Sequence, residues 1–277
     1  MQVQRISAFT RDPGGGNPAG VVISDQLPDE ATMQRVAAEV GYSETAFVAV
    51  RPGTTAADVR YFSPEREVEF CGHATIASAV ALAEIHGPAT FEFHTRAGLV
   101  PVSTAVDDGH PLATLTSVSP QVHPVPDDLL ARLLPLLGWS EDDLDPDLSP
   151  ALSYAGAWHF VAGLRELPRL EALEYDFAGV RELMLKHGLT TLQLVHRTGP
   201  SRFRARNPFP VGGVVEDPAT GAAAAALGAY LRHFGLLELP ARLTITQGVE
   251  MGRPSTLHVD VPVDGGIRVS GNARRID

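Results

Sequence analysis

The sequence predicts an α+β chain in two halves, each joining several mostly non-parallel strands to one central apolar helix. Three observations carry that reading. Alanine-rich runs almost free of charge occupy 76–82 and 222–226, and helices that apolar are buried on most sides. Strand-like segments do not alternate strictly with helical ones, which disfavours a doubly wound sheet or a βα barrel. Residues 119–126 carry prolines at 120, 124 and 126, and this connector is the best boundary between halves spanning 1–118 and 126–265.

Taken in order, 3–9 reads as a strand, followed by a glycine-rich turn over 12–20 and a short strand at 21–23. Pro28, Asp29 and Glu30 open a helix with acids in its first turn, and Gly41 stops it. Ser43, Glu44 and Thr45 lead into a strand ending at Val50, and a strand at 58–62 is broken by Ser63 and Pro64. After the first apolar helix, 90–95, 99–104 and 112–118 show strand-like alternation or β-branching. Beyond the connector, 127–137 reads as a helix with Pro135 an obstacle in its last turn. The acidic stretch 141–147 reads as a solvated loop. A strand at 158–164, a helix over 176–187 stopped by Gly188, and strands at 192–197 and 201–206 follow. The second apolar helix is placed at 218–234, with strands at 242–246, 256–263 and 267–269 after it.

Composition excludes several classes of function. The 277 residues carry 22 basic and 33 acidic side chains, a net charge of −11. No basic patch offsets it, because Arg202, Arg204 and Arg206 alternate as on one strand face, so neither nucleic acid nor an anionic membrane is an expected partner. There is no signal-like apolar start and no apolar run of membrane-spanning length, so the expected location is cytoplasmic. Cys71 is the single cysteine, which excludes an internal disulfide and thiolate-rich metal sites. Ten histidines form no HxxxH or HxH pair, so no metal is expected. Neither a GxGxxG turn nor a Walker A motif is present, and no nucleotide or other cofactor is expected.

Polar clusters sit at the mouths of both apolar helices. Glu69-Phe70-Cys71-Gly72-His73-Ala74-Thr75 leads into the first, and Glu216-Asp217-Pro218-Ala219-Thr220-Gly221 into the second. A buried helix N-terminus offers unpaired N–H groups and a partial positive charge. Two such ends facing each other would hold a small anion, which points to an enzyme for a small carboxylate.

Further blocks accompany these motifs: Phe9-Thr10, Gly16-Asn17-Pro18-Ala19-Gly20-Val21, Ser43-Glu44-Thr45-Ala46-Phe47-Val48 and Tyr61-Phe62-Ser63-Pro64-Glu65-Arg66-Glu67-Val68. Gln247-Gly248 and Met251-Gly252-Arg253-Pro254-Ser255 complete the set. In this order they make the chain resemble the phenazine-biosynthesis PhzF-like isomerases, related in fold to diaminopimelate epimerase. The resemblance implies two pseudo-symmetric halves, each a curved sheet around its central helix, with the active site in the cleft between. By the same analogy the strand near 266–277 returns to the first half, and the protein is a homodimer.

Glu44 taken alone is an exposed turn carboxylate; the resemblance makes it the acid/base that removes and returns a substrate proton. Cys71 reads as a small buried core residue beside a helix start. Gly72 allows close approach of a ligand to the backbone. His73 is a structural helix-start residue or, by resemblance, a substrate-bonding group that assists proton transfer. Asp217 before Pro218 has the pattern of an N-cap followed by proline at N1. As a capping anion it is a poor base, and the resemblance gives it a substrate-orienting role. Gly221 and the N–H groups after it form the carboxylate cradle. Ala222 stands where the family usually has serine, which puts the substrate in question. Asn17 and Pro18 read as a turn device, and Arg206 and Arg253 as surface or packing cations. The leading expectation is a cofactor-free isomerase for a small carboxylic acid. A two-base epimerase or racemase and a non-catalytic acid-binding protein are the alternatives.

Overall fold

A helix with no polar face has to be enclosed, and in this protein strands do the enclosing. The computed structural model describes residues 1–276. The chain divides into two compact units, Met1–Thr116 with the segment from Ser270 onward, and Ser117–Val269.

The first unit runs β1 (Gln4–Ala8), β2 (Asn17–Ser24), α1 (Glu30–Val40), β3 (Thr45–Val50), β4 (Ala56–Phe62), β5 (Glu67–Val68), α2 (Gly72–His86), β6 (Thr90–Thr95), β7 (Gly98–Asp107) and β8 (His110–Thr116). Hydrogen bonds link β1-β2-β3-β4-β6-β7-β8 into a sheet. Its pairs are antiparallel except β2–β3 and β4–β6. Helix α2 buries every residue from His73 to Leu82 and touches β1, β2, β3, β7 and β8. That enclosure is what its alanines permit, since small side chains let strands approach on all sides. Helix α1 is capped by the Asp29 carboxylate at Thr32 N–H and ends at Gly41 with φ +70°. It lays Met33, Val36 and Ala37 over Val22, Phe47 and Phe62 on the sheet.

The second unit continues with β9 (Gln121–Pro124), α3 (Asp127–Leu136), β10 (Ala151–Tyr154), β11 (Trp158–Gly163), α4 (Leu167–Glu171), α5 (Phe177–His187), β12 (Thr191–Gly199), β13 (Arg202–Arg206), α6 (Gly221–His233), β14 (Ala241–Gln247) and β15 (Ser255–Val261). Here too antiparallel pairs dominate, with β11–β12 and β13–β14 parallel. Helix α6 is buried from Ala223 to Leu231 and touches β9, β10, β11, β12 and β15. A leucine-rich core including Leu129, Leu133, Leu183 and Met184 joins α3 and α5 to Phe160, Leu192 and Leu194 on the strands. The last strand, β16 (Arg268–Arg275), pairs antiparallel with β1 through Ala273, Arg274 and Arg275. Each unit thus wraps a mostly antiparallel sheet around one apolar helix. No helix among the described residues is long and apolar enough to cross a membrane.

Several local expectations are corrected. The glycine-rich turn ends at Gly16, and Asn17 and Pro18 already pair with Ala8 and Ser7. Gly16 has φ +75°, and a Cβ there would lie 2.5 Å from the Ala8 carbonyl oxygen, so the turn needs glycine. The proline-rich connector contains β9, which pairs with β10 at the end of the strand order, where proline is tolerated. The acidic loop holds a 3₁₀ turn, Glu141–Asp143, closed by a reciprocal Ser140–Asp143 capping box. The short elements β10 and α4 were not anticipated. Helix α6 begins at Gly221, and Thr220 is its N-cap rather than Asp217.

Candidate active site

The first cluster forms where β3 begins and α2 begins. The backbone carbonyl of Glu44 accepts from Gly20 N–H at 3.2 Å, fixing the residue just before β3. Gly20 permits this packing, because a Cβ on it would come 2.6 Å from Thr45 Oγ1. Glu44 Oε2 lies 3.4 Å from His73 Nε2, with the two side chains 17% and 7% exposed. The Cys71 thiol donates to the same Oε2 at 3.4 Å and lies 3.4 Å from His73 Nδ1. Ser43 Oγ lies 3.4 Å from His73 Nε2.

The start of α2 is held from behind. Thr75 Oγ1 donates to the Cys71 carbonyl at 2.7 Å and meets the buried Tyr61 hydroxyl at 2.6 Å. Burial pushes the Tyr61 phenol well above its usual range, so it stays a neutral hydrogen-bonding group. Cys71 is the N-cap residue and makes no side-chain capping bond, leaving the N-terminus of α2 without a side-chain cap. A Cβ on Gly72 would meet only Phe70 Cε1, at 4.0 Å, so the backbone face there is open.

The second cluster gathers around the N-terminus of α6. Asp217 N–H donates to the Asn207 carbonyl at 3.1 Å, which ties the chain to that strand end before the helix. Asp217 does not cap, because its carboxylate and carbonyl are engaged elsewhere. Its Oδ2 instead accepts from Thr220 Oγ1 at 2.5 Å, and its carbonyl accepts from Gln247 Nε2 at 2.7 Å. Thr220 Oγ1 also lies 2.9 Å from Asn207 Oδ1, and Asn207 Nδ2 donates to Gln193 Oε1 at 2.6 Å. Gly248 has φ +74°, and a Cβ there would lie 2.7 Å from the Pro218 carbonyl oxygen, which explains the Gln247-Gly248 block as a support for the motif. Thr220 makes no side-chain capping bond, and Gly221 and Ala222 open the helix half-exposed.

Glu216 has a separate task. Its carboxylate pairs with Arg206, with Arg206 Nε 3.1 Å from Oε2, while Nη1 donates to the carbonyls of Leu170, Glu171 and Leu173. Arg206 is therefore a buried packing cation.

The structure joins Glu44, Gly72 and His73 within the first unit, and Asp217, Gly221 and Ala222 within the second. Sequence reasoning missed Cys71 and Ser43 as neighbours of Glu44 and His73, and Asn207, Thr220 and Gln247 as supports of Asp217. Polar residues inside apolar strands carried a usable signal; Gln193 lies fully buried between Leu192 and Leu194. Glu44, Cys71 and His73 also form a group whose donor atoms all lie within 4.8 Å of one another. A surface hollow of about 470 Å³ beside Asp143, Arg165 and Arg169 contains none of these residues.

Comparison with known proteins agrees with the blocks. The model of the family described as "Phenazine biosynthesis-like protein" (PhzC-PhzF) matches residues 6–276. YfhB of Bacillus subtilis, described as an uncharacterized isomerase, is 33% identical over 284 residues, covering 98% of this chain and 95% of that one. The trans-2,3-dihydro-3-hydroxyanthranilate isomerase of Pseudomonas chlororaphis is 32% identical over 263 residues, covering 91% and 87%. Among solved structures, a phenazine biosynthesis protein of the PhzF family from Bacillus anthracis superposes with a TM-score of 0.87 at 26% identity, covering 100% of this chain and 98% of that one.

Proposed function

The chain belongs to the phenazine biosynthesis-like (PhzC-PhzF) family, whose relatives are isomerases, and from that premise we propose that it moves a proton between carbons of a small unsaturated carboxylic acid. Glu44 is the acid/base. Its carboxylate takes a proton from a carbon activated by the adjoining double bond, and the electron pair shifts through the π system. The same proton, or one exchanged with water, is then delivered to another carbon. No electrons leave the substrate, so the step calls for no redox cofactor.

The observation that carries this reading is the position of Glu44 Oε2, 3.4 Å from both Cys71 Sγ and His73 Nε2 and largely withdrawn from water. A carboxylate so placed is oriented by two side-chain contacts, the fixed positioning that general acid/base catalysis needs. His73 bonds the substrate and assists the transfer. Asp217, held by Thr220 and Gln247, acts as an acceptor for an amine or hydroxyl. Gly72, Gly221, Ala222 and the helix N–H groups recognise the carboxylate.

The substrate class follows the Pseudomonas chlororaphis relative, a cyclic unsaturated acid bearing an amine and a hydroxyl, with Ala222 altering the fit of the head group. The test is turnover of such acids in deuterated water, followed by NMR. Retention of part of the original proton at the new carbon supports one base on one face. Full turnover by Glu44→Gln, or inversion at an amino-acid α-carbon without isomerisation, overturns the proposal.

A further inference from the structure

Glu44, Cys71 and His73 bring together an oxygen, a sulfur and a nitrogen, three chemically different donors. We propose that they form a site for a thiophilic divalent cation of the Zn²⁺ class, and that its binding blocks proton transfer. The blocking half rests on the role given to Glu44 above; the binding half does not.

The geometry is that of a metal face. Sγ to Oε2 is 3.4 Å, Sγ to Nε2 is 3.8 Å and Oε2 to Nε2 is 3.4 Å. Tetrahedral zinc, with bonds of about 2.3 Å to sulfur and about 2.0–2.1 Å to nitrogen and oxygen, sets its donors roughly 3.3–3.6 Å apart. Sγ lies nearer Nδ1, at 3.4 Å, than Nε2, so the imidazole must turn to aim Nε2 at an ion shared with Sγ and Oε2, while the spacing of the three side chains already suits one. Cys71 and His73 are buried, and their backbone is fixed by the first turn of α2 and the Thr75 bond to the Cys71 carbonyl.

Donor chemistry selects the ion. A thiol and an imidazole disfavour magnesium and calcium, which prefer all-oxygen shells. Coordination replaces the S–H bond of Cys71 with a metal–sulfur bond and sends the proton to solvent; no electron moves. Thiolate and carboxylate then neutralise the divalent charge, and a fourth position stays open for water or a ligand. The positive end of α2 opposes a cation, so the affinity is micromolar rather than that of a structural zinc site. Sequence spacing hid the trio because Glu44 lies 27 positions from Cys71 and no second histidine takes part.

The experiment titrates the full-length, chelator-treated protein with zinc chloride, with cobalt chloride as a chromophore and magnesium chloride as a control. One zinc per chain, a near-ultraviolet sulfur-to-cobalt band, and protection of Cys71, the single thiol, from a thiol reagent are expected. Cys71→Ser, Cys71→Ala and His73→Gln should each weaken zinc binding at least tenfold, while His123→Gln should not. Melting of the metal-free variants shows which are folded, and zinc should raise the melting temperature of the wild type and of His123→Gln far more than that of the Cys71 and His73 variants. Unchanged affinity in a folded Cys71 or His73 variant, or an unprotected thiol, overturns the site. In the turnover assay, inhibition that follows occupancy and reverses with chelator supports blocking; full occupancy with undiminished turnover overturns it. Failure to bind leaves the role of Glu44 standing, since Glu44→Gln tests that separately.

Discussion

Glu44 Oε2 and His73 Nε2 lie 3.4 Å apart, one residue entering β3 and the other in the first turn of α2. Neither element alone forms this pair; their meeting does. Glu44→Gln keeps the shape and removes the proton-carrying oxygen. Turnover should fall by roughly 10²–10⁴, the usual worth of a general acid/base. The melting temperature should stay near wild type. Rates measured by proton exchange in deuterated water check this, and a loss below tenfold would remove Glu44 from the chemistry.

Gly20 controls where Glu44 sits, through its N–H bond to the Glu44 carbonyl and its contact with Thr45. Gly20→Ala forces a Cβ to within 2.6 Å of Thr45 Oγ1 unless a strand moves. The expected cost is about 1–3 kcal/mol of stability, together with a lower kcat. Urea unfolding with parallel kinetics measures both, and wild-type values for both would show that the strands yield freely.

Ala222 lies in the first turn of α6, at the position where the resemblance leads one to expect serine. Restoring the hydroxyl adds one donor, worth about 0.5–1.5 kcal/mol or roughly two- to tenfold in kcat/KM. Ala222→Ser should therefore improve activity on a dihydro-hydroxyanthranilate-like acid. A decrease on that substrate would show that Ala222 suits a different head group.

Much of the fold was legible because both central helices are almost free of charge and most strands alternate. The first candidate cluster was half legible: the residue blocks marked Glu44 and His73, but a cysteine at a helix start reads as packing. Only the meeting of β3 with α2 gives Cys71 a carboxylate neighbour. The second motif misled through a sound local rule. Asp217-Pro218 has the pattern of a cap, yet the Asp217 carboxylate and carbonyl are engaged by Thr220 and Gln247 and its N–H by Asn207, and the helix starts only at Gly221. Tertiary pairing outweighed a capping preference worth about 1 kcal/mol. Pro124 misled likewise, because it lies in β9, an outer strand that tolerates a proline an inner strand excludes.

Arg206 and Glu216 form a buried pair, 11% and 5% exposed at the side chains, and three carbonyls engage the same guanidinium. Removing one partner leaves the other charge buried. Arg206→Met and Glu216→Leu should each cost roughly 3–5 kcal/mol, and the double variant less than their sum. Denaturant unfolding of the four proteins gives the coupling. Strict additivity would mean that the carbonyl contacts, and not the ion pair, hold Arg206.

His159 is fully buried, with Nδ1 2.7 Å from Thr191 Oγ1, and burial lowers its pKa from 6.5 to about 3. Above pH 6.5 the imidazole is neutral folded and unfolded, and it adds no pH dependence. As pH falls below 6.5, the unfolded chain takes up a proton that the folded one refuses until about pH 3. Stability therefore declines across that window, by about 1.4 kcal/mol per pH unit for this one proton. His159→Leu removes the term, so its acid limb should be shallower than wild type by one proton. Unfolding free energies from pH 7 to pH 4 measure the two slopes. Equal slopes would mean that His159 takes up its proton while the protein is still folded.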